Sequence, residues 1–208
     1  MKNLLLISVF VLSTAVISQA ADLPSPQKSG GAPLMEALAK RSTGRVFDSK
    51  RELSQQQLSN LLWASYGINR TDGKRTAASA HNTQETSIYV LLKDGAFLYN
   101  PQKNSLEAIS PEDIRALGGT QDFVKDASVT LVFVADLAKA AGNNPSAKKE
   151  VAAINVGAIS QNAYLYCASE GLVTGARMSI DREKLGAKLK LKENHWIALA
   201  QSVGYEKK

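Results

Sequence analysis

Residues 128–135 read Ser-Val-Thr-Leu-Val-Phe-Val-Ala, a nearly unbroken apolar run. A strand wetted on one face alternates polar and apolar residues, so this run predicts a central strand buried on both faces. Both sides of its sheet must then be covered. Residues 151–172 form the longest helical pattern, apolar enough all round to lie mid-domain or at a subunit interface. Ser54 is an N-cap for a helix over 55–66, where Leu58, Leu61, Leu62 and Ala64 make one apolar face ending near Gly67. Residues 87–92 read as a strand, Lys93-Asp94-Gly95 as a turn, and 96–99 as its hairpin partner. Ser110-Pro111 predicts the opening of a short helix, and 140–149 a polar loop. Ile180-Asp181 starts a helix through Leu189, and 195–204 form a last strand. Helices, a hairpin, a strand, a long helix and a strand fit an α+β sandwich.

The first twenty residues are excluded from this reading. Lys2 precedes an apolar stretch over 4–17, and Ser18-Gln19-Ala20 supplies small residues before a cut. That pattern predicts a secretory signal, cleaved between Ala20 and Ala21, and export to a bacterial periplasm. A retained anchor is the alternative; the run is short for a span and contains Ser and Thr. Cys167 is the only cysteine, which disfavours a lipoprotein and leaves no internal disulfide. Residues 21–33, with Pro, Ser, Gly and Lys, read as a flexible leader, and 34–208 as one domain.

Cleavage leaves 188 of 208 residues, enough for a full core, with 24 basic against 19 acidic side chains. The charges are interspersed and only 6% of residues are aromatic, so no basic stripe with stacking platforms points to nucleic acid. No later segment is long and apolar enough to span a bilayer. Cys167, in an apolar helix, reads as a buried small hydrophobe. His81 and His195 lack the Cys or carboxylate company of a metal site.

One polar stretch stands out. Leu34, Met35 and Leu38 recur at helical spacing, and then Lys40-Arg41-Ser42-Thr43-Gly44-Arg45 places two guanidinium groups, two hydroxyls and a glycine within five residues. Guanidinium groups bind a phosphate monoester bidentately, hydroxyls add donors, and Gly44 permits close backbone approach. The bland alternative is a solvated surface charge.

Further motifs lie in a telling order. Residues 75–85, Arg-Thr-Ala-Ala-Ser-Ala-His-Asn-Thr-Gln-Glu, resemble the R-x-x-P-S-A-x-N-x-Q-P signature of the nitroreductase-like flavoproteins. Residues 41–48 are similar to that family's R-x-S/T-x-R/K-x-F-D opening. Residues 157–172 resemble its central helix, and Val203-Gly204-Tyr205 its final G-Y. Residues 99–106 and 121–124 resemble the subgroup of SagB-type dehydrogenases and azoline oxidases. The likeness covers about residues 34–205.

The resemblance implies a central, mainly antiparallel sheet flanked by helices, in a homodimer with FMN at the interface and each site built from both chains. It implies that Arg41, Thr43 and Arg45, helped by Ser42, hold the phosphate and ribityl chain, and that Asn82 and Gln84 bond the ribityl chain or pyrimidine edge. Backbone N–H groups around Arg177, Met178 and Ser179 would face flavin N5 and O4. Gln161 and Asn162 read as interhelical or interface contacts instead. The implied activity is FMN-dependent transfer of a hydride or two electrons to a small acceptor such as a nitroaromatic or quinone. It needs no catalytic side-chain acid or base and no metal. NAD(P)H is a candidate donor, though scarce outside the cytoplasm. The competing readings are an exported flavin-binding protein without turnover, and a dehydrogenase acting on peptide azolines. The sequence departs from the pattern at Ala78 and Glu85, where the family has Pro, which predicts a looser loop.

Overall fold

The computed structural model describes residues 21–208; the expected export signal lies outside them. Seven strands form one antiparallel sheet in the order β1-β4-β3-β2-β5-β7-β6. In chain order they are β1 (Ala21–Asp22), β2 (Thr86–Leu92), β3 (Gly95–Asn100), β4 (Ser105–Ser110), β5 (Val129–Asp136), β6 (Val173–Arg177) and β7 (His195–Gly204). Four α-helices accompany them: α1 (Leu34–Lys40), α2 (Gln55–Tyr66), α3 (Pro145–Glu170) and α4 (Arg182–Lys188).

β5 lies centrally between β2 and β7, and its side chains divide between two cores. Val129, Leu131 and Phe133 face a core with Leu61 and Leu62 of α2 and Ile159 and Ala163 of α3. Val132 and Val134 face the opposite core, with Leu185 and Leu189. The absence of alternation in its sequence is thus the mark of a strand covered twice.

α2 starts where the sequence puts it. Ser54 accepts from Gln57 N, and the Gln57 side chain accepts from Ser54 N, a complete capping box that contributes about 1 kcal/mol. α3 begins earlier than the expected 151, because Asn144 Oδ1 accepts from Ala147 N and Pro145 occupies the first turn. The polar stretch 140–149 is therefore half helix. Ser110 opens no helix. It closes β4, a strand whose alternation is too weak to read, and the next turn is a 3-10 helix at Arg115–Gly118. β6 was likewise hidden, since Val-Thr-Gly-Ala-Arg carries two residues without β propensity.

Residues 21–33, flexible by composition, are laid along the body. Ala21 pairs with Leu106, Pro24 O accepts from Ser59 Oγ and Asn104 Nδ2, Gln27 N donates to Asn60 Oδ1, and Ala32 N donates to Ser169 Oγ. No helix among the described residues is long and apolar enough to cross a membrane.

Candidate active site

Arg41 caps the C-terminus of α1, its N–H donating to Ala37 O, and from there the chain runs extended beside β6. Gly44 N donates to Thr174 O at 2.9 Å. The fit is tight on both sides. A Cβ on Gly44 would lie 2.4 Å from Val173 Cγ1, and one on Gly175 would lie 2.8 Å from Gly44 O. The close approach that glycine permits here is to β6, so Gly44 fixes the strand that carries the two arginines.

Tyr164 of α3 is the second clamp. Its Oη accepts from Ala176 N at 2.9 Å and sits 3.2 Å from Thr43 Oγ1, and the Arg41 guanidinium lies 5.5 Å from its ring centroid. Arg45 and Ser42 are exposed. Neither Arg41 nor Arg45 has a carboxylate within ion-pair distance among the described residues. On the far side, Phe47 bridges Glu206 antiparallel, and Asp48 N donates to Tyr205 O. That register sets Lys207 opposite Val46 and Lys208 opposite Arg45. Positive charge is concentrated along one edge, with no acid paired to the two arginines.

β6 then delivers residues 177–179 to the same edge. The Arg177 side chain itself turns inward. Its Nε donates to Gly118 O and its Nη2 to Ser202 Oγ, and burial pulls its pKa down to about 10. Met178 is 62% exposed. The N–H groups of Met178 and Ser179 have no protein acceptor among the described residues, whereas their carbonyls accept from Ile180 N and Thr120 N. Two free donors therefore follow the strand to which Arg41–Arg45 is pinned.

The second cluster is the loop over 79–85. His81, Asn82 and Gln84 all adopt positive φ, near 50°, a conformation that disfavours residues with a side chain by about 1 kcal/mol each. Gln84 is consumed in holding this shape. Its Oε1 accepts from Arg75 Nε, and its Nε2 donates to Asn82 Oδ1 and Gly73 O. Asn82 is exposed, with its Nδ2 free. Gln84 thus positions Asn82 more than it presents itself. Glu85 anchors the loop. Its carboxylate, 2% exposed, accepts from Asn155 Nδ2 at 2.8 Å and Thr83 Oγ1 at 2.7 Å, while Asn155 Oδ1 accepts from Ala80 N. Where the absent proline suggests a looser loop, a buried carboxylate ties it to α3.

The two clusters are held at Tyr164 and Asn155, nine residues apart on α3. That spacing is about 13 Å along the axis and about 180° around it. Within one chain they lie on opposite flanks of the helix. Between those flanks the exposed face of α3 shows Ala153, Ile154, Gly157, Ala158 and Gln161, without a charge. Leu34, Met35 and Leu38 of α1 are also exposed.

A sequence model described as the Nitroreductase family matches residues 38–205, nearly all of the described chain. The chain belongs to the nitroreductase family. A protein of Methanocaldococcus jannaschii named as a nitroreductase is 29% identical over 170 residues, covering 77% of this chain and 85% of that protein. A solved structure from Ralstonia eutropha JMP134, also named as a nitroreductase, is 36% identical, with a TM-score of 0.86, covering 94% of this chain and 93% of that one. A structure from Staphylococcus epidermidis named as an NAD(P)H:FMN oxidoreductase shares the fold, with a TM-score of 0.64 at 14% identity, covering 88% and 92%.

In this nitroreductase-family chain, sequence reasoning missed Tyr164 and Glu85. Both act through contacts more than sixty residues away, and only the signature's departure at Glu85 hinted at either. Gln161 is exposed, and Asn162 makes long 3.4 Å bonds to Ser65 O and Thr76 O, linking α3 to the loop after α2. Cys167 is fully buried, and burial pushes its thiol up, so it is no nucleophile. Among the described residues no three His, Cys, Asp or Glu side chains cluster as a metal site.

Proposed function

We propose that this protein is an FMN-dependent oxidoreductase whose flavin lies between two copies of the chain. The observation that carries the reading is the Gly44–Gly175 approach, which sets two unneutralised guanidinium groups and the free N–H groups of Met178 and Ser179 on one edge. A phosphate at one end and an electron-accepting ring at the other require such a spacing of charge and donors. Arg41 and Arg45, with Ser42 and Thr43, would hold the phosphate bidentately and through hydroxyl donors. Lys207 and Lys208 lie near enough to add charge. Asn82 of the second copy, braced by Gln84, would offer its free amide to the ribityl chain or pyrimidine edge.

FMN, when bound, supplies the two-electron chemistry. The protein contributes binding, orientation and electrostatics. N–H groups of Met178 and Ser179 would favour negative charge on the ring they face, by the logic of an oxyanion hole. No side-chain acid or base is needed at the reacting atoms. The acceptor is a small oxidised organic molecule such as a nitroaromatic or quinone, with NAD(P)H or another reductant as donor.

The homodimer rests on the opposed flanks of α3 and on the uncharged surface between them, which a second copy would cover. Export to the periplasm rests on the signal pattern of residues 1–20. The test is the visible spectrum of the purified protein, followed by anaerobic addition of NADPH and then an acceptor. Flavin absorbance that bleaches and recovers supports the enzyme. Bound flavin that no donor reduces would leave a carrier protein.

A further inference from the structure

A cavity of about 240 Å3 opens where β2 and β3 end, and meets the segments assigned to FMN only through Gln84. Two hydroxyls of residues that line it, Tyr66 Oη and Thr86 Oγ1, are buried without a hydrogen-bond partner among the described residues. Tyr66 is 2% and Thr86 4% exposed. Ser79 Oγ lies near Tyr66 Oη but outside hydrogen-bond geometry. Burial pushes the Tyr66 hydroxyl up to about 12, so it stays a donor at neutral pH. Buried polar groups in native proteins are nearly always satisfied, and two orphans beside one cavity call for an occupant.

Arg75 supplies the charge. Its guanidinium packs 4.7 Å from the Tyr66 ring centroid, Nε donates to Gln84 Oε1, and Nη1 donates to Tyr66 O. Nη2 makes no hydrogen bond to the protein, and no carboxylate lies within ion-pair distance of Arg75 among the described residues. Ile88, Leu98 and Pro101 give the cavity apolar wall, while Glu107 and Lys139 also border it.

We propose that this cavity binds a small carboxylate carrying a short apolar group. The guanidinium edge and two hydroxyls provide donors for a flat monoanion. A dianion such as phosphate would be repelled by Glu107, and its tetrahedral head would leave Ile88 and Leu98 uncovered. The site stands on these residues alone, independent of flavin binding.

The experiment titrates the purified full protein, with whatever flavin it retains, with sodium propionate, using sodium chloride at matched ionic strength as control. Melting temperature and calorimetric heat are followed. The expected result is a saturable rise in melting temperature with propionate alone. Thr86→Val and Tyr66→Phe, which keep shape, each weaken it about tenfold, the loss of one hydrogen bond to a charged group. Arg75→Met abolishes it. No saturable response in the wild type, or an equal response to chloride, overturns the proposal. So does a Thr86→Val protein that binds propionate as the wild type does, because the orphan hydroxyls would then be only a structural cost. Competition between propionate and FMN would also overturn it, by making the cavity part of the flavin site.

Discussion

Gly175 lies so close to Gly44 that a Cβ on Gly175 would come within 2.8 Å of the Gly44 carbonyl oxygen. The obstacle is backbone, which cannot rotate away. Gly175→Ala must therefore push residues 43–45 off β6. The expected cost is about 1–3 kcal/mol of stability, read as a lower melting temperature. FMN affinity should fall with it, because Arg41 and Arg45 move together. Unchanged affinity would separate the arginines from the strand that holds them.

Tyr164→Phe removes one hydroxyl that serves both Ala176 N and Thr43 Oγ1. The ring and its stacking on Arg41 remain. Stability should drop by about 1 kcal/mol, while FMN dissociation rises about tenfold, since the segment loses its side-chain clamp. Equilibrium unfolding and flavin fluorescence titration on the same variant distinguish the two effects.

Glu85→Ala should leave Asn155 Nδ2 buried without an acceptor, at about 1–3 kcal/mol. Glu85→Gln retains a carbonyl for Asn155, and the Thr83 hydroxyl can turn to accept from the new amide. The conservative variant should therefore be near wild type. A double-mutant cycle with Asn155→Ala measures the coupling directly. Additive losses would show that the pair does not act as a unit.

Asp113 pairs with Arg115, which holds its carboxyl below the usual 3.8. A depressed carboxylate stabilises the fold above its unfolded value. That contribution is lost as pH falls through the lower folded value. Melting temperatures across the acid range should show Asp113→Asn below wild type at neutral pH, with the gap closing below about pH 4. Asp113 is partly exposed, so added salt should shrink the gap.

Local rules written into short stretches were legible. Ser54 and Gln57 announce α2, the unbroken apolar run announces β5, and β7 spans His195–Gly204 as its pattern indicates. β4 and β6 were not, because pairing with neighbouring strands overrides weak propensity. Asn144-Pro145 is a helix start in plain sight, overlooked because its surroundings are polar. At the site, Arg41, Arg45 and Asn82 stand out through chemistry and motif order. Gln84 turned out to brace the loop, and the Arg177 side chain to bind Gly118 and Ser202. Tyr164 and Glu85 acquire their roles only when α3 brings distant segments together, which no local pattern encodes.

The central claim is that Arg41 and Arg45 grip the phosphate of FMN. Titration of FMN into the flavin-stripped protein, followed by quenching of flavin fluorescence, tests it most directly against an Arg41→Ala, Arg45→Ala double variant. The wild type should bind FMN saturably, and the double variant about a hundredfold or more weakly, as expected for two lost charge-assisted contacts. Riboflavin, which lacks the phosphate, should bind both proteins equally weakly. A wild type that does not bind FMN, or a double variant that binds it as tightly, would contradict the account.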